Sequence, residues 1–227
     1  MHCIEGLLAA GINAMGLEVT GQQLGQLTAY VELMAKWNQV YNLTAIRDKS
    51  AMVSRHILDS LTLMPHVNSE HLLDVGSGPG LPGIPLAIML PERLFSLLDG
   101  NGKKTRFMTQ AKTVLGLDNV AVENHRVEAW QVERGFGEIT SRAFSSLENM
   151  VTGTSHLLAR GGRWLAMKGI HPDEELAQLR ITRPDVQLVE SVRLLVPGCD
   201  KERHLVILEA PGTDTDRLFS GHTGSGS

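Results

Sequence analysis

The segment His71-Leu-Leu-Asp-Val-Gly-Ser-Gly-Pro-Gly-Leu-Pro-Gly83 narrows the possible folds more than any other part of the chain. An apolar run, Leu72 to Val75, enters a loop with glycine at 76, 78, 80 and 83. Apolar residues Ile84 to Leu90 follow, long enough for a helix. Strand, glycine turn and helix in that order open a doubly wound α/β domain, whose ligand crevice lies at the carboxyl ends of the strands. Glycine suits this loop because a side chain would keep the backbone away from a nucleotide-like ligand, and because some positions need positive φ.

Two ligand classes compete for that crevice. Gly78, Gly80 and Gly83 satisfy the G-x-G-x-x-G spacing, and Asp99 lies about 20 residues on, which fits a nicotinamide dinucleotide. Asp74 argues otherwise: a carboxylate at the end of the first strand suits the cationic amine of a methionine-like ligand and opposes a pyrophosphate. Pro79 and Pro82 also remove amide donors that a pyrophosphate would use. An S-adenosylmethionine site is therefore favoured, with a nicotinamide-dependent oxidoreductase and a non-catalytic nucleotide-binding module as the other readings.

Apolar periodicity predicts helices over 4–15 and 21–39, the second capped by Thr20 and buried along Leu24, Leu27, Val31, Met34 and Ala35. Trp37 reads as core packing of this extension. A further helix over 50–64 is expected, with Ser50 as cap, Pro65 as its end and His56 beside its apolar stripe. Strands are expected at 71–75, 94–99, 120–123, 136–141, 163–168, 186–196 and 204–209, with helices at 81–90, 103–115, 147–158 and 173–180 between them. The tail from Pro211, rich in Gly, Ser, Thr and Asp, reads as disordered.

Composition excludes several classes. Cys3 and Cys199 have no ligand or disulfide spacing, so neither a zinc site nor a disulfide framework is expected, which suits a reducing compartment. No segment reaches membrane-spanning length, and the start lacks a basic signal region. A formal net charge of −4 argues against tight nonspecific binding to naked RNA. Local basic clusters nevertheless occur: Lys103, Lys104 and Arg106 in one, and Arg47, Lys49 and Arg55 in another.

The first motif closely resembles that of the bacterial 16S ribosomal RNA guanine-N7 methyltransferase family, RsmG (GidB). Further similar segments are Tyr41-Asn-Leu-Thr-Ala-Ile46, Arg55-His-Ile-Leu-Asp-Ser60, Leu98-Asp-Gly-Asn-Gly-Lys-Lys-Thr-Arg-Phe107, Ser141-Arg-Ala-Phe144 and Glu202-Arg-His-Leu205. The resemblance implies a mostly parallel seven-stranded sheet of the class I S-adenosylmethionine methyltransferase type. Residues 1–65 would then be a helical extension, 66–210 the cofactor-binding domain and 211–227 a tail. It also implies a cytoplasmic monomer acting on 16S rRNA, within a small-subunit ribonucleoprotein. Carried over residue by residue, it implicates Gly76, Leu81, Val127, Glu128 and Arg142 in cofactor contacts. Gly78 and Gly80 join them as loop glycines, and Asp74 and Asp99 by the charge argument, Asp99 accepting from the ribose hydroxyls. Many members have Asp-Ser after the second strand, whereas here Gly100 follows Asp99.

The acceptor side is read by elimination and by resemblance. Neither cysteine is placed to act as the nucleophile that pyrimidine carbon-5 methylation needs. The turn that orients an exocyclic amine is replaced by Ser141-Arg-Ala-Phe144. Guanine N7 offers an in-plane lone pair with no proton to remove, so no general base is required and orientation carries the barrier reduction. Arg142 is the first candidate for the guanine edge or a phosphate, unless it pairs with Asp74 or Glu128. Phe144 is assigned to the core before a stacking role. Asn42, His56 and Lys168 are further catalytic-side candidates, and Arg126, Lys103, Lys104 and Arg106 candidates for RNA contact.

Overall fold

The computed structural model describes residues 3–142 and 144–210. Seven strands form one sheet: β1 (His71–Val75), β2 (Leu94–Leu98), β3 (Val120–Glu123), β4 (Phe136–Ser141), β5 (Leu158–Lys168), β6 (Gln187–Arg193) and β7 (His204–Glu209). Their order is β3-β2-β1-β4-β5-β7-β6. β1 to β5 are parallel, and β7 runs antiparallel between β5 and β6. The chain winds outward from β1 to β3 and then restarts at β4, on the opposite side of β1. That reversal leaves a crevice above the carboxyl ends of β1 and β4.

Alternation along the strands divides the core between two faces. Leu72, Phe95, Leu97, Leu165, Leu205 and Ile207 lie on one face, and Leu73, Val75, Leu98, Trp164, Val206 and Leu208 on the other. The first face is covered by α1 (Ile4–Ala14), α2 (Gly21–Tyr41), α3 (Lys49–Met52), α4 (Asp59–Leu61), α5 (Gly83–Met89) and α6 (Gly102–Leu115), and the second by α7 (Leu147–Thr154) and α8 (Asp173–Thr182). The amino-terminal helices thus share a core with the sheet. Two glutamines of α2 fix the docking: Gln23 Nε2 donates to the carbonyls of Ile88 and Met89, and Gln26 Nε2 to that of Leu115 at 2.7 Å. These carbonyls lie at the carboxyl ends of α5 and α6, where no intrahelical partner exists.

Thr20 caps α2 with Gln23 in a reciprocal capping box, as expected, but the helix continues to Tyr41 and stops at Asn42, in the left-handed region at φ 49°. The continuous helix expected over 50–64 is instead α3, a π-helical segment Val53–Leu58, α4 and a 3-10 turn Met64–His66. Its cap is Asp48, whose carboxylate accepts from the Ala51 amide at 2.8 Å, so Ser50 lies inside the first turn. Pro65 sits within the 3-10 turn and does not end the helix. The π segment widens the turn while keeping Val53, Ile57 and Leu61 buried, and it carries buried His56 and Asp59 on the same stretch. β5 starts at Leu158, five residues earlier than expected, because a 3-10 turn follows α7 at Thr154. The tail expected to be disordered lies outside the described residues.

Candidate active site

The glycine loop is fastened at both ends by carboxylates. Asp74 Oδ2 accepts from the Gly83 amide and Asp99 Oδ2 from the Gly78 amide, each at 2.9 Å. Asp99 Oδ1 takes the Asn101 amide at 2.8 Å. From the helical side, Tyr30 donates its hydroxyl to the Pro79 carbonyl at 2.6 Å. A Cβ on Gly83 would fall 2.1 Å from Leu97 Cδ2 and 3.0 Å from Asp74 Oδ2, so glycine lets α5 start against the sheet. Gly76, Gly78 and Gly80 adopt φ of 69°, 60° and 95°.

A cleft of about 220 Å³ opens beside this loop. Gly76, Asp99, Gly100, Arg126, Val127 and Glu128 form its walls, and Phe144 part of its far side. The segment carrying Val127 is held in place by His156, whose Nε2 lies 3.1 Å from the Val127 carbonyl. Of the two acids expected to flank one pocket, Asp99 lines this cleft, whereas Asp74 lies wholly buried beneath the loop. Burial pushes the Asp74 carboxyl up to about 7. Its Oδ1 is buried and has no hydrogen-bond partner. Gly78, Gly80 and Leu81, expected as cofactor contacts, are buried in the loop and absent from the cleft wall.

A second cleft, of about 390 Å³, is cationic. Arg55, His56, Asp59, Arg142, Lys168 and Arg203 line it. Arg142 projects from the turn after β4 and also lines a broader depression with Phe144 and Lys168. It pairs with Asp59 through Nη1 at 2.7 Å, so the partner is neither Asp74 nor Glu128. Lys168 pairs with Glu175 at 2.7 Å. His56 Nδ1 lies 3.0 Å from the Arg55 carbonyl, which assigns it the proton and leaves Nε2 to accept from the Thr44 hydroxyl at 2.8 Å. Burial, reinforced by Arg142, lowers the His56 pKa to about 4, so the ring is neutral near pH 7. Thr44 is held in turn by Asn38, which accepts its amide and donates to the Ile46 carbonyl.

The remaining candidates scatter. Asn42 is exposed and bonded to Arg47 at 3.2 Å, outside the cleft lining. Arg126, expected to face RNA, lies in the wall of the first cleft, its Cδ 3.0 Å from where a Gly100 Cβ would stand. Lys104 leans toward Asp99 at 3.7 Å, Arg106 folds back on the Gly102 carbonyl, and Lys103 is exposed. Asp59, Arg203, Tyr30 and Thr44 were not singled out from sequence. All but Tyr30 do stand inside segments that carry the family resemblance.

A reversed last strand and a nucleoside-sized cleft at the switch point define the class of S-adenosylmethionine-dependent methyltransferases. Solved structures bear out the fold: a SAM-dependent methyltransferase from Aquifex aeolicus aligns with a TM-score of 0.53 and 14% identity over 70% of this chain and 93% of that one. TYW2 from P. horikoshii, crystallised with MeSAdo, aligns with a TM-score of 0.55 and 13% identity over 70% of this chain and 63% of that one. The family model GidB, rRNA small subunit methyltransferase G, matches residues 23–206. Curated proteins called Ribosomal RNA small subunit methyltransferase G are similar throughout. The Marinobacter nauticus protein is 53% identical over 89% of this chain and 94% of its own, and a Pseudomonas aeruginosa one 52% identical over 88% and 93%. The chain belongs to the GidB family.

Proposed function

We propose that this protein transfers the methyl group of S-adenosylmethionine to N7 of a guanine in 16S rRNA. The residues present fit that cofactor. The unpartnered Asp74 Oδ1 supplies a buried anion for a cationic amine, Asp99 supplies acceptors for ribose hydroxyls, and the space beside Gly78 stays open, with no atom nearer than 4.0 Å to a Cβ built there. The cofactor brings an activated methyl on a sulfonium, so the chain's task is to bind and orient.

The observation that carries the acceptor assignment is the state of the titratable groups in the cationic cleft. His56 is neutral with Nε2 taken by Thr44, Asp59 is held by two arginines and Lys168 by Glu175. None is poised to remove a proton, and N7 has none to lose. Arg142, in the wall of both the cationic cleft and the broader depression that reaches Phe144, is placed to donate to the guanine edge or a neighbouring phosphate while the base approaches in line. A base reached at N7 is accessible when unstacked, which favours a loop in a folded particle. The relatives' names support ribosomal RNA as acceptor, and the modest negative charge of this chain supports an assembled small subunit in the cytoplasm over naked RNA, with the protein acting as a monomer.

The test uses small subunits from a strain lacking the gene, incubated with the protein and S-adenosylmethionine, followed by borohydride and aniline, which cleave RNA at N7-methylguanine. One new cleavage in 16S rRNA is expected. A methyl found instead on a ring carbon or an exocyclic amine would overturn the assignment, as would calorimetry showing binding of NAD and none of S-adenosylhomocysteine.

A further inference from the structure

Asp59 is the most enclosed charge of the cationic cleft, its side chain 4% exposed. It lies between two guanidinium groups: Arg142 Nη1 donates to Oδ2 and Arg203 Nε to Oδ1, both at 2.7 Å. These partners are 83 and 144 residues away, one following β4 and the other preceding β7. A single carboxylate therefore joins three elements around the cleft. The backbone around it is itself held: Ser60 Oγ donates to the His56 carbonyl and Thr62 Oγ1 to the Asp59 carbonyl, both at 2.6 Å.

We propose that Asp59 is a positioning residue for methyl transfer, holding Arg142 and Arg203 in one geometry before the RNA arrives. This rests on the cationic cleft being the acceptor site. Arginine has many rotamers, and ordering them during binding or reaction would cost affinity or rate; ordering them beforehand removes that cost. The need is acute here, because Arg55, Arg142, Lys168, Lys201 and Arg203 line one small cleft and repel one another. Lys168 has its own anion in Glu175, whereas Arg142 and Arg203 share Asp59. One negative charge between two positive ones leaves the site cationic. Arg142 meets Asp59 through one nitrogen, so the rest of its fork can turn to an incoming anion, while Arg203, whose Nη1 also donates to the Glu202 carbonyl at 2.8 Å, keeps Nη2 for that purpose.

The experiment is Asp59→Asn, which keeps the volume and one acceptor oxygen but sets an amide donor against one arginine. On small subunits from the deletion strain, kcat/KM should fall roughly 30-fold or more, the loss expected when an orienting contact is removed. The dissociation constant of S-adenosylhomocysteine should stay within about twofold, because that cleft is not built on Asp59. In an Arg142→Ala background the same substitution should cost less than about threefold, since the residue it acts through is gone. Losses that multiply in the double variant, or a matching loss of cofactor binding, would show a structural role and overturn the inference. Wild-type kcat/KM in Asp59→Asn would also overturn it while leaving the acceptor reading intact; a wild-type protein that leaves the particle unmethylated would overturn that reading instead. Should Asp59→Asn not fold, Arg203→Gln, which preserves the Asp59–Arg142 pair, is the second variant: a several-fold loss is expected, and full activity counts against the proposal.

Discussion

The two clefts are linked by a depression that shares Phe144 with one and Arg142 with the other, yet they are built on different plans. The nucleoside cleft draws on three short stretches at neighbouring strand ends, residues 75–76, 98–100 and 125–128, with Phe144 added from the turn after β4. The carboxylates under and beside it meet backbone amides: Asp74 that of Gly83, and Asp99 those of Gly78 and Asn101. The acceptor cleft collects residues from four distant places, 46–59, 142, 167–169 and 201–203. Its carboxylates meet side-chain cations, Asp59 two arginines and neighbouring Glu175 a lysine, Glu175 also accepting the Leu147 amide. A site held by amides is fixed by main-chain geometry and binds the same ligand in the same way each turnover. A site held by ion pairs can exchange one anion for another, which suits capture of a large polyanion.

If the division holds, substitutions on the two sides should separate cleanly in kinetics. The largest effect is expected from Arg142→Ala. Removing an orienting guanidinium should cost about 3 kcal/mol, a fall of about 100-fold in kcat/KM on the small subunit. Affinity for S-adenosylhomocysteine should change far less, because Arg142 lies outside the first cleft's wall. A loss confined to cofactor affinity would move Arg142 to the nucleoside side, and full activity would reduce it to a partner of Asp59. Next in size is Asp99→Ala, which leaves the ribose hydroxyls and the Gly78 and Asn101 amides without charged acceptors. A loss of about 1.5–3 kcal/mol in S-adenosylhomocysteine binding follows, with the acceptor KM unchanged. An unchanged dissociation constant would take Asp99 out of the site.

The same division explains what the sequence reveals. Gly76, Asp99, Val127 and Glu128, which the fold brings together in the wall of the first cleft, are legible because strand, loop and helix are contiguous and glycine spacing reports backbone demands directly. Reading is less direct where one motif residue has a structural task of its own. Asp74 anchors the Gly83 amide, and Gly78, Gly80 and Leu81 are buried in the loop outside the wall of the first cleft, a placement that the motif does not reveal. The Asp59 bridge spans 83 and 144 residues, and no local pattern marks which arginine will meet which acid. The π segment is hidden for a related reason: its apolar stripe, Val53, Ile57 and Leu61, also satisfies an ordinary helical period. Asp48 in place of Ser50 as cap is a displacement of two residues, common where several capping residues adjoin.

The smallest expected effect tests whether Asp74, though beneath the loop, serves the nucleoside side. Its carboxyl is pushed up to about 7 by burial, while the Gly83 amide and Arg142 pull the other way. A bound ammonium near Oδ1 favours the ionised form, so binding below that value must displace a proton. Affinity for S-adenosylmethionine should therefore rise with pH from 6 to 7.5 and weaken as pH falls through about 7, at most tenfold per unit. Tyr30, which also faces Asp74, does not confuse this window, because burial raises it well above its ordinary value; Arg142 and Asp99 are the charged neighbours that act on Asp74. The ligand's own amine, losing its proton near pH 8, marks the upper end. Calorimetry in buffers of different ionisation enthalpy should show proton release at pH 6.5 for the wild type and none for Asp74→Asn. A flat wild-type profile would mean that Asp74 only anchors Gly83, leaving the amine of the cofactor to be held by main-chain carbonyls of the loop.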